Sequence, residues 1–221
     1  MRALGLAAVI GRRYGAAMNS TTTARPRAHA GALPNILTYA RIAAVPLVVG
    51  CMYWQSILDG GLWLRWLALA IFIAAGITDF FDGYFARIWG QQSSLGRMLD
   101  PIADKLLVAS CLLMLAAETT IHGWALLAAV VILCREVLVS GLREYLAELR
   151  VSVPVTRLAK WKTTLQLVAV GFLICGEAGD AIVPVVTRIG ITLLWLSAIL
   201  TLYTGWDYLQ AGLHHLTRED A

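Results

Sequence analysis

Six apolar stretches punctuate the chain, at about 36–54, 62–81, 98–117, 122–142, 164–182 and 189–209, with short polar connections between them. Each approaches the roughly 20 residues that carry an α-helix across the hydrocarbon core of a bilayer. None alternates apolar and polar positions with the period of two that a barrel strand needs. Inside hydrocarbon only helices and closed barrels satisfy their own backbone hydrogen bonds. The pattern therefore predicts an all-α integral membrane protein, a six-transmembrane-helix bundle occupying residues 31–213. A basic N-terminal arm (1–30) precedes it and a short tail (214–221) follows it.

Composition strengthens this reading. Hydrophobic residues make up 59% of the chain and charged residues 14%, whereas a soluble domain carries about 25% charge. The excess apolar surface points to lipid. The four cysteines, Cys51, Cys111, Cys134 and Cys175, lie in or beside apolar stretches without C-x-x-C spacing. Small core hydrophobes are the reading they favour over a zinc site or a disulfide framework.

The distribution of cations orients the bundle. Arg2, Arg12, Arg13, Arg25 and Arg27 lie in the arm; Arg87 and Arg97 flank the turn after the second stretch; Arg143, Arg150, Arg157, Lys160 and Lys162 crowd the fourth connection. The intervening connections hold Asp59 and Arg65, then Glu118 and His122, then Glu177, Asp180 and Arg188. Lys and Arg collect on the cytoplasmic side, so both termini and the turn after the second stretch are expected there. The arm has no acidic residue. It suits a disordered or interfacial segment, with an organellar transit peptide as the alternative. Glycines inside the apolar stretches, such as Gly76, Gly141, Gly171 and Gly190, suit close helix contacts.

The chemistry is concentrated in Ile77 to Lys105, where Asp79, Asp82, Asp100 and Asp104 interrupt two otherwise apolar helices. Asp79 and Asp82 are spaced i, i+3, and Asp100 and Asp104 i, i+4, so each pair projects from one helix face. The short polar turn between them makes the two helices antiparallel neighbours, and all four carboxylates can converge. Each aspartate at bilayer depth costs about 2.5–3.5 kcal/mol on insertion scales. Mutual repulsion adds to that cost, so a compensating positive charge is required. Oxygen-only ligands select hard ions such as Mg2+ or Mn2+, and four carboxylates suffice to bridge two of them. The alternative is that the aspartates cap helix ends or pair with Arg87, Arg97 and Lys105. Gly83, Ala86 and Arg87 place a small-residue notch and a cation beside the carboxylates, where a nucleotide diphosphate can dock.

The spacing D-x-x-D-G-x-x-A-R-x8-G-x-x-x-D-x-x-x-D is met by Asp79, Asp82, Gly83, Ala86, Arg87, Gly96, Asp100 and Asp104. It resembles the signature of the CDP-alcohol phosphotransferases. That resemblance implies a six-helix membrane enzyme, dimeric as a rule, in which an alcohol attacks a CDP-activated phosphate and CMP leaves. It implies that Asp79, Asp82, Asp100 and Asp104 ligate divalent metal, Mg2+ or Mn2+, as two ions. Asp104 would also be the general base for the acceptor hydroxyl. Gly83, Ala86 and Arg87 would bind CDP, with Ser93 in the turn a further candidate.

Pro34-Asn35-Ile36-Leu37-Thr38-Tyr39-Ala40-Arg41 is similar to the helix opening of bacterial members. Arg135-Glu136-Val137, the stretch Leu142 to Leu149, and Lys160-Trp161-Lys162-Thr163-Thr164 are similar to members that make phosphatidylglycerophosphate. The resemblance thereby implies CDP-diacylglycerol as donor, glycerol 3-phosphate as acceptor, and a multi-pass homodimer in a bacterial inner membrane with its active site on the cytoplasmic side. No nucleic-acid partner is expected.

Arg135 falls inside an apolar stretch two turns before Arg143, and a guanidinium at that depth needs an anion. The acceptor phosphate is the expected partner of Arg135, Arg143, Lys160 and Lys162. A structural pair with Glu136 or Glu144 is the competing role for the arginines, and a charge anchor at the membrane surface for the lysines. Synthases of cardiolipin, phosphatidylinositol phosphate or phosphatidylserine are the rival activities within the family. An ion-coupled transporter is the rival from another class, since it too places carboxylates and arginines in a membrane bundle.

Overall fold

The computed structural model describes the backbone of residues 33–89, 94–148 and 157–219, and the side chains of residues 36–79, 98–146, 161–206, 209 and 210. Within these limits the chain forms six helices and no strand: α1 (Leu33–Ile57), α2 (Trp63–Trp89), α3 (Ser94–Ala117), α4 (Ala125–Glu148), α5 (Arg157–Asp180) and α6 (Val186–Glu219). Each expected apolar stretch lies within or overlaps one helix, and several helices run on into the polar flanks. α2 continues through Asp79 and Asp82 to Trp89, and α3 already begins at Ser94. The eight signature positions therefore all sit on two successive helices. The arm lies outside the described residues.

Among the described residues, Ile36–Ile57, Ala125–Leu146 and Val186–Trp206 are long and apolar enough to cross a membrane by themselves. The other three helices are interrupted by polar groups. α3 holds Asp100, Asp104 and Lys105 within a few residues, and α5 opens with Lys162, Thr163, Thr164 and Gln166. Such residues are tolerated at bilayer depth when they face the bundle interior.

α1 packs on α2 and α3, α5 on α6, α4 on α6, and α2 reaches across to α5. Val48 and Met52 of α1, Phe72 of α2, Cys111, Leu112 and Leu115 of α3, Ile132 of α4, Leu173 and Ile174 of α5, and Leu194 of α6 form one continuous buried core. The outer surface is equally apolar: Leu47, Leu113, Val137, Ile199 and Trp206 are all exposed. Lipid is the solvent that accepts such a surface. Because lipid tails match leucine in polarity, close van der Waals packing at small residues holds the helices together. A Cβ on Gly190 would lie 2.8 Å from Leu173, and one on Gly171 3.6 Å from Leu69. Gly76 and Gly141 do not conform to the expected packing role, since each faces open space. Gly76 instead helps to line an apolar groove between α2 and α5.

At the end of the bundle where α2 begins, a second polar device ties four helices. Arg65, buried at the start of α2, pairs with the equally buried Glu118 just beyond α3 at 3.0 Å. It donates to Gln55 Oε1 of α1 at 2.8 Å and to the Ile174 carbonyl of α5 at 3.4 Å. α5 breaks at Gly176, whose φ of 37° and ψ of −119° lie outside the helical region. The break makes room for the guanidinium, because a Cβ there would lie 2.8 Å from Arg65 Nη1. Glycine alone combines that backbone with that clearance.

Removing one partner of a buried pair strands the other charge, at a cost of about 3–5 kcal/mol. Glu118→Ala is therefore expected to lower the melting temperature in detergent, and Gly176→Ala to lower it as well. Unchanged melting in both variants would contradict the clasp.

Candidate functional site

Three of the signature aspartates, Asp79, Asp100 and Asp104, gather at the opposite end of the bundle from the Arg65 clasp. Asp79 reaches in from α2, and Asp100 and Asp104 lie one turn apart on α3. What they meet is Arg41 of α1. Its Nη2 lies 3.1 Å from Asp79 Oδ1, and its Nη1 lies 3.2 Å from Asp100 Oδ1 and 2.6 Å from Asp104 Oδ1. Thr38, one turn earlier on α1, donates to Asp100 Oδ1 at 3.3 Å. The Arg41 side chain is 1% exposed, whereas Asp79, Asp100 and Asp104 are 39%, 25% and 46% exposed. The guanidinium thus closes the inner side of the cluster, and the carboxylates keep an outer side open.

Local sequence accounts for this arrangement. Thr38 and Arg41, three residues apart, share one face of α1, and that face packs on α2 and α3. Pro101, directly after Asp100, removes one backbone donor from α3. Lys105 donates to Ser140 Oγ of α4, so it serves the α3–α4 contact and is not a counter-ion to the aspartates. Among the described residues no three His, Cys, Asp or Glu side chains converge closely enough to hold an ion by themselves; the convergence of Asp79, Asp100 and Asp104 is on Arg41. The side chains of Asp82, Gly83, Ala86, Arg87 and Lys160, and all of Ser93, lie outside the described residues.

A second charged cluster joins α4, α5 and α6. Glu136 Oε1 accepts from Lys162 Nζ of α5 and from Arg135 Nη1 at 3.5 Å. Arg135 Nη2 donates to Thr204 Oγ1 of α6 at 3.1 Å. The next residue, Gly205, leaves room for the arginine stem, since a Cβ there would lie 3.1 Å from Arg135 Cγ. Arg143 stands two turns further along α4 and is exposed. The structure therefore brings Arg135 and Lys162 together through Glu136, the carboxylate that competes for them in the sequence. Ser140 lies on α4 between Arg135 and Arg143, so its bond to Lys105 links this cluster to the helix that carries Asp104.

Comparison with known proteins agrees with the constellation. The family model for CDP-alcohol phosphatidyltransferase matches residues 31–203. A Rickettsia bellii protein named CDP-diacylglycerol--glycerol-3-phosphate 3-phosphatidyltransferase is 46% identical over 179 residues, 81% of this chain and 94% of its own length. Proteins of the same name from Cereibacter sphaeroides and Pectobacterium atrosepticum are 39% and 37% identical. They cover 85% and 83% of this chain, and 98% and 96% of their own lengths. With its signature on two successive helices and a match spanning most of its length, the chain belongs to the CDP-alcohol phosphatidyltransferase family.

Proposed function

We propose that the chain transfers the phosphatidyl group of CDP-diacylglycerol to sn-glycerol 3-phosphate, giving phosphatidylglycerophosphate and CMP. The observation that carries this reading is the convergence of Asp79, Asp100 and Asp104 from two helices onto one guanidinium, which leaves a net negative cluster with an open outer side. The relatives described above carry the name of this activity.

Carboxylate oxygens suit hard divalent ions, and Asp79, Asp82, Asp100 and Asp104 are the residues that would hold Mg2+ or Mn2+, as two ions. Held by these residues, such ions would supply positive charge to offset the diphosphate and the departing CMP oxygen. The remaining work belongs to the chain. Gly83 and Ala86, by their small size, would allow the nucleotide close to the backbone, and Arg87 and Ser93 would be donors to its phosphates. The acceptor hydroxyl oxygen attacks the phosphatidyl phosphorus as the bond from that phosphorus to the CMP oxygen breaks. Asp104 accepts the hydroxyl proton.

Two further features support a lipid donor and an anionic acceptor. The apolar groove between α2 and α5, about 740 Å³, reaches Gly76 and Ile77, less than one turn from Asp79. An acyl chain lying there leaves its headgroup beside the aspartates. In the second cluster, Arg135 and Lys162 meet at Glu136, and Arg143 stands two turns further along α4. Those cations suit the acceptor's phosphate, with Lys160 as the neighbouring cation. The charge pattern supports both termini and the site lying on the cytoplasmic side of a bacterial inner membrane, and the family resemblance supports a homodimer there.

Purified protein supplied with labelled CDP-diacylglycerol, Mn2+ and a panel of glycerol 3-phosphate, inositol phosphate, serine and phosphatidylglycerol is expected to release CMP rapidly with glycerol 3-phosphate alone. Preference for another acceptor would contradict the proposal.

General-base assistance is worth about 10²–10⁴-fold. Asp104→Asn is accordingly expected to lower kcat by at least about 10²-fold while Mn2+ still binds. CMP release that survives this change would remove Asp104 from the chemistry.

Charge-assisted hydrogen bonds contribute about 1.5–3 kcal/mol. Arg135→Ala is therefore expected to raise KM for glycerol 3-phosphate by about 10- to 100-fold and to leave KM for the donor unchanged. An effect on the donor alone would assign Arg135 elsewhere.

A further inference from the structure

The aspartates are the groups that would take metal, yet the described contacts of Asp79, Asp100 and Asp104 converge on a cation the chain itself supplies. Arg41 is deeply buried and belongs to a helix that packs against both α2 and α3. In its contacts with these three aspartates the planar fork divides by helix: one nitrogen takes Asp79 of α2, and the other takes Asp100 and Asp104 of α3. Thr38 fixes Asp100 from the same face.

We propose that Arg41 is a positioning residue: it gathers Asp79, Asp100 and Asp104 into one cluster and serves as their resident counter-cation, against which arriving metal must compete. The inference rests on the metal-centre reading of these aspartates.

Carboxylates brought together in a low dielectric repel one another unless a positive charge lies between them. A guanidinium meets that need with several donors in fixed geometry, which an ammonium on a flexible stem does not. Arg41 thereby lets α2 and α3 assemble before metal arrives. The same charge opposes the approach of a divalent ion, so the site binds metal more weakly than its carboxylates alone would allow. Turnover nevertheless depends on Arg41, because the carboxylates must hold their relative positions through the transfer step.

These two effects have opposite signs, and a merely structural arginine would not separate them. The test uses full-length protein in detergent, stripped of metal with chelator and then titrated with Mn2+, with free ion counted by electron paramagnetic resonance. In Arg41→Met the metal-free melting temperature is expected to fall, the Mn2+ affinity to rise by about tenfold or more, and kcat to fall. Arg41→Lys keeps the charge but loses the fork. It is expected to hold Mn2+ affinity within about threefold of the wild type while kcat stays low. Should Arg41→Met fail to fold, Arg41→Gln, with a neutral hydrogen-bonding head, carries the same expectation.

Unchanged or weaker Mn2+ binding in the neutral variants would overturn the proposal, as would Arg41→Lys binding Mn2+ as tightly as they do. Asp79→Asn in the same titration separates the two levels. Mn2+ binding lost on Asp79→Asn but unaltered in the neutral Arg41 variants overturns the role of Arg41 alone. A wild-type protein that takes up no Mn2+, or an Asp79→Asn variant that keeps all of it, overturns the metal centre itself.

Discussion

Everything at the candidate site depends on one electrostatic constraint: carboxylates from two helices are held together by the guanidinium of a third, inside a bundle whose exterior is hydrocarbon. Any one of these charges alone would oppose insertion. Combined, they fix how α1, α2 and α3 meet, because Arg41 satisfies both partners only if Asp79 approaches from one helix and Asp100 and Asp104 from the other. The same three helices continue into the apolar core, where Val48, Phe72 and Leu112 are buried together. The binding-site geometry and the packing of the first three helices therefore have a single origin.

The opposite end of the bundle applies the same device to another purpose. Arg65 and Glu118 also form a buried guanidinium–carboxylate contact, but both side chains are almost wholly enclosed. No outer face is left for a ligand, and α5 is broken at Gly176 to admit the arginine. Exposure of the carboxylates is what separates a clasp from a site: a quarter to nearly half of each aspartate side chain at Arg41 remains accessible, against 1% of Glu118. In the Arg135 cluster Glu136 is intermediate, at 22% exposed, and joins Arg135 of its own helix to Lys162 of α5.

The helices were legible in the sequence because lipid requires long apolar segments, and each expected stretch lies on a helix. The convergence of Asp79 with Asp100 and Asp104 was legible for a related reason, since i, i+3 and i, i+4 spacings on consecutive helices leave few other arrangements. Arg41 was harder to find. The burial argument that singles out Arg135 applies equally to an arginine within the first apolar stretch, three residues after Thr38, but spacing alone cannot show which helix pair α1 lies against. Thr204 and Gly205 are of the same kind: their role arises from the α4–α6 contact, which joins residues far apart in the chain. The kink at Gly176 was hidden because its cause, Arg65, lies more than a hundred residues away.

The account holds that the family signature is a metal centre whose inner wall is Arg41. Crystals grown with Mn2+ and CDP, measured at a wavelength where manganese scatters anomalously, test it most directly. The account predicts anomalous peaks in contact with Asp79, Asp82, Asp100 and Asp104, with the CDP diphosphate against them on the side away from Arg41. Manganese bound elsewhere, with these four carboxylates in contact with protein groups alone, would contradict it.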